Sequence, residues 1–287
     1  MRRGLKPLPI NYWIDFGCSG AQPSPPMKTP APTCFARLSV HAIIFSAFLL
    51  VSAARGELIF ADSFDYPQGD LGGQGPPPNS PPGQGGWATF NGTPSVAAVG
   101  LEFPEIFWTG NSALVHGLDD ITGDKAVAAL GPVTADDGVV WVAFLVRKAS
   151  NPNGRDGFAV VSLGNDVTGP SIGIGMLFNK DRYGLDNNTG GKGARARTAV
   201  RPNHKTVWLV TKLDFNNAQE YLWVNPDPET EPDIIEANAQ NPMTAEFVAA
   251  GFHEIVLKIG YTVTTFQFDE LRVGTNFADV VNPLAAP

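Results

Sequence analysis

The chain has 287 residues, among them 31 Gly, 25 Pro and 18 Phe, with 17% charged residues and a formal net charge of −8. Gly and Pro at this density, with apolar stripes of helical period hard to find, exclude a helical bundle and point to a loop-rich all-β protein. The acidic balance argues against nucleic acid and anionic membrane surfaces as partners.

The first element in chain order is a leader. "ARLSVHAIIFSAFLLVSAARG" has a basic flank at Arg37, an apolar run from Val40 to Val51 and small residues before Glu57, the layout of a secretory signal peptide. Met27 and Lys28 open it, so residues 27–56 form the expected signal and the Pro-rich residues 1–26 an over-called or unstructured start. The apolar run is too short to span a bilayer comfortably, so no stable membrane span is expected after cleavage. The product is expected to be secreted, extracellular or periplasmic. Cleavage would remove six of the 20 basic residues (Arg2, Arg3, Lys6, Lys28, Arg37, Arg55) and one of the 28 acids (Asp15), leaving 14 against 27, a balance of −13. Both cysteines, Cys18 and Cys34, go with it, so the exported chain would have no thiol, no disulfide and no Cys-ligated metal.

Residues 57–287 are of a size to form one β-sandwich domain with a core that needs no staples. "LIFADSFDYP" gives a first strand, and the Pro/Gly-rich stretch at 67–86 a long surface loop, because Pro and Gly at that density cannot hold a ladder. Short strands follow, divided by turn signals. In "GVVWVAFLVRK" Val140, Val142, Phe144 and Val146 form one apolar face, while Trp141, Ala143 and Leu145 make the other nearly as apolar, which predicts a central strand. "DGFAVVSLG" comes next, then "SIGIGMLFN", in which Gly173 and Gly175 alternate with Ile172, Ile174 and Met176. "KTVWLVTKLDF" and "EYLWVN" read as a hairpin about Asn216–Gln219. "HEIVLKIGY" and "TTFQFDELRVG" close the domain. The predicted fold is an antiparallel two-sheet jelly-roll sandwich.

The last strand contains a slip. Thr264, Phe266 and Phe268 share one parity, Leu271 and Val273 the other, and a period-2 strand keeps both sets in the core only with one extra residue. Asp269 and Glu270 therefore mark a β-bulge or local kink. Adjacent strand residues otherwise face opposite ways, so these carboxylates are badly placed to act as the facing pair of a glycosidase.

"FDELRVGTNFADV" resembles the closing strand of concanavalin A-like, laminin-G-like jelly-roll domains. "LIFADSFDYPQGDLGGQ" and "WVAFLVRK…DGFAVVSLGN…IGIG" are similar to secreted bacterial members of that superfamily. The resemblance covers most of residues 57–281 and implies the fold more than the ligand. The chain departs from it in two ways. It ends at "NPLAAP" without a sorting tail, and it lacks the Glu-x-Asp-x-x-Glu strand of the related glucanases. The nearest acidic cluster, "DPETEPDIIEAN", is broken by Pro228 and Pro232 and reads as a solvated loop rather than a hard-cation site.

Few other residues suggest chemistry. His116, His204 and His253 lack metal-ligand spacing, and no serine sits in a nucleophile elbow. Lys192, Arg195, Arg197, Arg201 and Lys205 gather in a Gly-rich segment that would meet an acidic glycan or simply face water. Three function classes stand: a non-catalytic carbohydrate-binding or cell-surface protein, which the resemblance and the lack of a paired acid motif favour; a secreted glycan hydrolase or lyase drawing on Glu102, Glu105, Asp181 or Tyr183; and a structural envelope protein. Jelly-roll domains commonly pair the first and last strands, so Asp62 or Asp65 would meet Asp269 and bind one structural calcium. The competing expectation is that Asp269 bonds amides freed by the bulge while Glu270 meets Arg272. In the hairpin, Val207, Leu209, Leu213, Phe215, Leu222 and Val224 take the core parity, leaving Trp208, Tyr221 and Trp223 on the other face. Those rings make a platform for a polysaccharide if the face is open. If loops cover it they form a second small core, the commoner fate of aromatic stripes.

Overall fold

A computed structural model describes residues 56–281, apart from 79, 107–109, 119–121, 151–156, 166–168, 179–180 and 188–193. The expected signal peptide up to residue 55, the residues before it and Lys192 lie outside the described residues. In chain order the strands are β1 (Leu58–Asp62), β2 (Gly69–Asp70), β3 (Trp87–Asn91), β4 (Ser95–Ala97), β5 (Ser112–Leu118) and β6 (Thr122–Gly123). Then come β7 (Lys125–Val133), β8 (Val139–Lys148), β9 (Phe158–Gly164), β10 (Ser171–Met176), β11 (Tyr183–Asn187) and β12 (Arg195–Arg197). The rest are β13 (Val207–Asp214), β14 (Gln219–Val224), β15 (Ala239–Pro242), helix α1 (Ala245–Ala250), β16 (Phe252–Gly260), β17 (Thr265–Gly274) and helix α2 (Phe277–Val281). Among the described residues no helix is long and apolar enough to cross a membrane.

The strands form an antiparallel two-sheet jelly-roll sandwich. One sheet runs β15-β14-β13-β8-β17-β5-β4-β2, with β1 on β17 and β6 on β5; the other runs β12-β11-β10-β9-β16-β7-β3. The first and last strands are neighbours, Asp62 pairing with Leu271 and Phe60 with Val273. The long 67–86 loop is anchored in two places: Gly69 and Asp70 pair with Val96 and Ser95, and Leu71 is fully buried.

Alternation decides the main core. Val140, Val142, Phe144 and Val146 of β8 meet Ile172, Ile174, Leu185, Ile255 and Leu257 from the opposite sheet in one apolar cluster. The other face of β8 is not solvent. Trp141, Ala143 and Leu145 belong to a second cluster with Leu101, Ile106, Phe277 and Val280, so β8 is buried on both sides, as its composition requires.

The β17 slip is a bulge. Asp269 faces Leu145 on β8 but Arg272 faces Ala143, so two residues, Glu270 and Leu271, stand opposite the single Phe144, and Glu270 takes a left-handed φ of 47°. The extra residue returns Leu271 and Val273 to the main core.

Candidate functional site

The three hairpin rings lie on the face that alternation assigned, but that face is closed. Trp208, Tyr221 and Trp223 are 1%, 7% and 3% exposed. Trp223 stacks on Trp141 at 5.7 Å, Phe277 of α2 packs edge-on against Trp141 at 5.2 Å, and Phe103 tilts against Trp208 at 6.1 Å. The acidic 227–238 loop completes the cover: Trp223 Nε1 donates to the Asp233 carbonyl (3.1 Å) and Lys212 Nζ to Glu231 (3.1 Å). The platform expectation is thus corrected. Rings of this area reach this degree of exclusion from water only as packing.

The acids expected to hold calcium have other partners. Asp62 is buried with both oxygens engaged: Oδ1 accepts from the Phe64 amide, Oδ2 from Tyr66 Oη and Trp87 Nε1, each at 2.7 Å. Burial lifts its pKa to about 6 against the pull of these donors. Asp269 Oδ2 accepts from the Leu101 amide (2.7 Å) and Oδ1 from the bulge amide of Glu270 (2.8 Å), and Arg272 donates to Glu270 at 2.8 Å. This is the competing arrangement set out above. Asp65 is exposed. A cation there would have to take oxygens already committed to donors, and among the described residues no group of three or more His, Cys, Asp or Glu is placed to hold one. The expected result is therefore one melting temperature in EDTA and in millimolar calcium; a rise in calcium of several degrees would restore the metal.

The open concave feature lies on the outer face of the seven-stranded sheet. The register sets two rows abreast. One row is Arg197, Gly184, Gly175, Val160, Lys258, Lys125, and the next is Arg195, Asp186, Gly173, Ser162, Val256. Glycine at 173, 175 and 184 leaves the middle of the sheet bare. At the ends of β10, β9 and β16 stands an aromatic wall, with Phe178 and Tyr261 at 4.7 Å, Phe158 and Tyr261 at 6.2 Å. Wall and floor enclose a cavity of about 320 Å³ lined by Phe158, Phe178, Tyr261, Gly173, Arg195 and Lys258 among others. That is the low end of the range for small-ligand sites.

The glycines are not equivalent. A Cβ at Gly184 would lie 2.2 Å from the Ala196 carbonyl, so close pairing of β11 with β12 requires glycine there. A Cβ at Gly173 would meet nothing nearer than Val160 Cγ2 at 3.6 Å, an ordinary contact. Packing does not demand glycine at 173, yet its absent side chain gives the cavity its depth.

Charge in the groove is mixed. Arg195 Nε donates to Asp186 Oδ2 at 2.8 Å, the two side chains being 30% and 15% exposed. Asp186 Oδ1 is closed off from water with no partner among the described residues, and burial raises the carboxyl's pKa against the pull of Arg195 and Lys258. Burial, then the charge of Lys125, lowers the Lys258 ammonium to about 8.

No family model and no curated protein matches the chain. Among solved structures it is similar to the binding domain of botulinum neurotoxin DC in complex with rat synaptotagmin II (11% identity, TM-score 0.42, covering 68% of this chain and 45% of that one). A structure of botulinum neurotoxin type C, whose cell entry depends on interaction with two ganglioside molecules, is similar at 9% identity and TM-score 0.43, covering 68% and 44%. The globular domain of T. cruzi calreticulin gives 11% identity and TM-score 0.42, covering 68% and 86%. The chain spans less than half the length of the toxin chains.

The acids and tyrosine that a hydrolase or lyase would use are scattered. Glu102 and Glu105 are exposed on the segment that covers the ten-stranded sheet. Asp181 pairs with Arg201 at 3.3 Å, and Tyr183 is fully buried between the sheets, where burial raises its pKa. Sequence reasoning missed the groove because its residues come from five strands whose order no local pattern gives. The Gly173/Gly175 alternation, one bare face on an otherwise apolar strand, was the available signal.

Proposed function

We propose that the protein is an exported, non-catalytic β-sandwich of the concanavalin A-like kind that binds saccharide on the outer face of its seven-stranded sheet. The observation supporting this is the bare glycine floor beside the aromatic wall of Phe158, Phe178 and Tyr261, with Tyr261 41% exposed. Sugar rings present flat C–H faces that stack on aromatic rings, and hydroxyls that suit polar groups set around such a wall. The hydrolase reading gains nothing from this groove, whose one lining carboxylate, Asp186, is already held by Arg195.

The test is Gly173→Val. Valine suits a strand and meets no clash at its Cβ, so the variant is expected to melt within a few degrees of the parent or higher. Affinity electrophoresis through gels containing dextran, xylan, polygalacturonate or dextran sulfate should retard the parent in at least one, and Gly173→Val should weaken that retardation tenfold or more. Gly184→Ala, driven into the Ala196 carbonyl, should instead lower the melting temperature. Equal retardation of parent and Gly173→Val, or none for the parent in any gel, overturns the reading.

A further inference from the structure

We infer that the groove selects an anionic saccharide, its carboxylate or sulfate lodging against Lys258 and Arg195 while a ring of the same chain stacks on Tyr261 and Phe178. This rests on the saccharide-binding reading and specifies its substrate class.

Three observations carry it. The first is local sign. The exported chain carries −13 by residue count, yet the register gathers Arg195, Arg197, Lys258 and Lys125 on this one face around a single acid, Asp186. Glu254 shares the face, but lies about 13 Å along β16 from Lys258 and does not line the cavity.

The second is that the acid is spent inward. Asp186 lines the cavity, but it holds Arg195 through Oδ2 and its Oδ1 is covered, so its charge is largely offset by Arg195 where a ligand would enter. An arginine held at Nε by a carboxylate keeps its terminal nitrogens for a second planar anion.

The third is the state of Lys258. It is half-buried, and the carboxylate whose charge attracts it, Asp186, is already held by Arg195. Burying a cation is costly, and here burial and the charge of Lys125 outweigh the attraction of Asp186. A ligand anion at that place offsets both. A neutral sugar would leave the ammonium as it is, and an aliphatic residue at 258 would then serve the protein better.

The experiment compares the parent, Lys258→Met and a control, Lys205→Met, an exposed lysine outside the cavity, in gels of polygalacturonate, dextran sulfate and uncharged dextran. The parent is expected to be retarded by at least one polyanion, less so as salt rises, and far less by dextran. Lys258→Met should lose tenfold or more of that affinity without a fall in melting temperature, and Lys205→Met should keep it. Preference between polygalacturonate and dextran sulfate tells carboxylate from sulfate. Retardation by dextran that Gly173→Val abolishes and Lys258→Met does not would overturn the anionic inference and leave saccharide binding standing. Equal losses in both lysine variants would show general charge attraction and overturn it too. No retardation in any gel removes both.

Discussion

Replacing Trp208 with alanine is expected to destabilise the protein by about 3–5 kcal/mol, the range for deleting a large aromatic side chain from a core that collapses only partly. Trp208 is 1% exposed and sits on β13 among Val210, Leu145 and the Phe103 ring. All of these lie outside the main sandwich core. The loss would therefore show that the outer face of the ten-stranded sheet is a second core, built under Leu101–Ile106 and α2. Trp223→Ala is expected to cost a similar amount, losing its stacking on Trp141 and leaving the Asp233 carbonyl without its indole donor. Urea unfolding measures both. A change below about 1 kcal/mol at either position would mean that the covering segment is loosely held and the rings are available after all.

Why alternation assigned the rings to the right face yet left open what they do there follows from what each signal contains. Period-2 parity in "KTVWLVTKLDF" and "EYLWVN" separates Leu209, Leu213 and Leu222 from Trp208, Tyr221 and Trp223, because a strand alone dictates which side chains share a face. Whether that face is wet depends on Leu101, Ile106, Phe277 and Val280, which reach it through tertiary structure. The apolar second face of "GVVWVAFLVRK" was the local hint: a strand with Trp141, Ala143 and Leu145 opposite its main core has to be covered on both sides. The bulge was legible for a similar reason, since a parity slip between Phe268 and Leu271 admits few remedies. The partners of Asp269 are half local and half remote. The Glu270 amide follows from the bulge, whereas the Leu101 amide comes from 168 residues away. The groove was the least legible of all, since Arg195, Asp186, Gly173, Phe158 and Lys258 are joined only by strand order.

Three buried carboxyls lead to an expected pH dependence with a definite sign. Burial raises Glu220 and Asp269 to about 8 and Asp62 to about 6. Glu220 is the plainest case. It is fully buried on β14; its Oε1 accepts from Asn241 at 3.1 Å and Asn187 also favours its charge, but burial outweighs both donors, so the charged form is disfavoured. Each folded pKa lies above its unfolded value, so from about pH 4 upward the folded protein holds protons that the unfolded chain releases. Stability from these groups is complete below the unfolded pKa and is lost as pH rises toward 6 for Asp62 and 8 for the other two. Lys258, lowered to about 8, adds stability only as pH rises between 8 and its unfolded value, so it does not offset the loss below pH 8. The slope is about 1.4 kcal/mol per pH unit for each carboxyl in its window. One such group acting over one and a half units sets a floor of about 2 kcal/mol for the fall between pH 5 and pH 8. Denaturant unfolding across that range should show a maximum on the acid side, and Glu220→Gln, an uncharged shape match, should flatten the profile, gaining stability at pH 8 relative to the parent and little at pH 5. A parent profile that is level or rising from pH 5 to 8, or a Glu220→Gln profile parallel to the parent's, would mean that Glu220 is ionised in the fold and that Asn241 and Asn187 outweigh its burial.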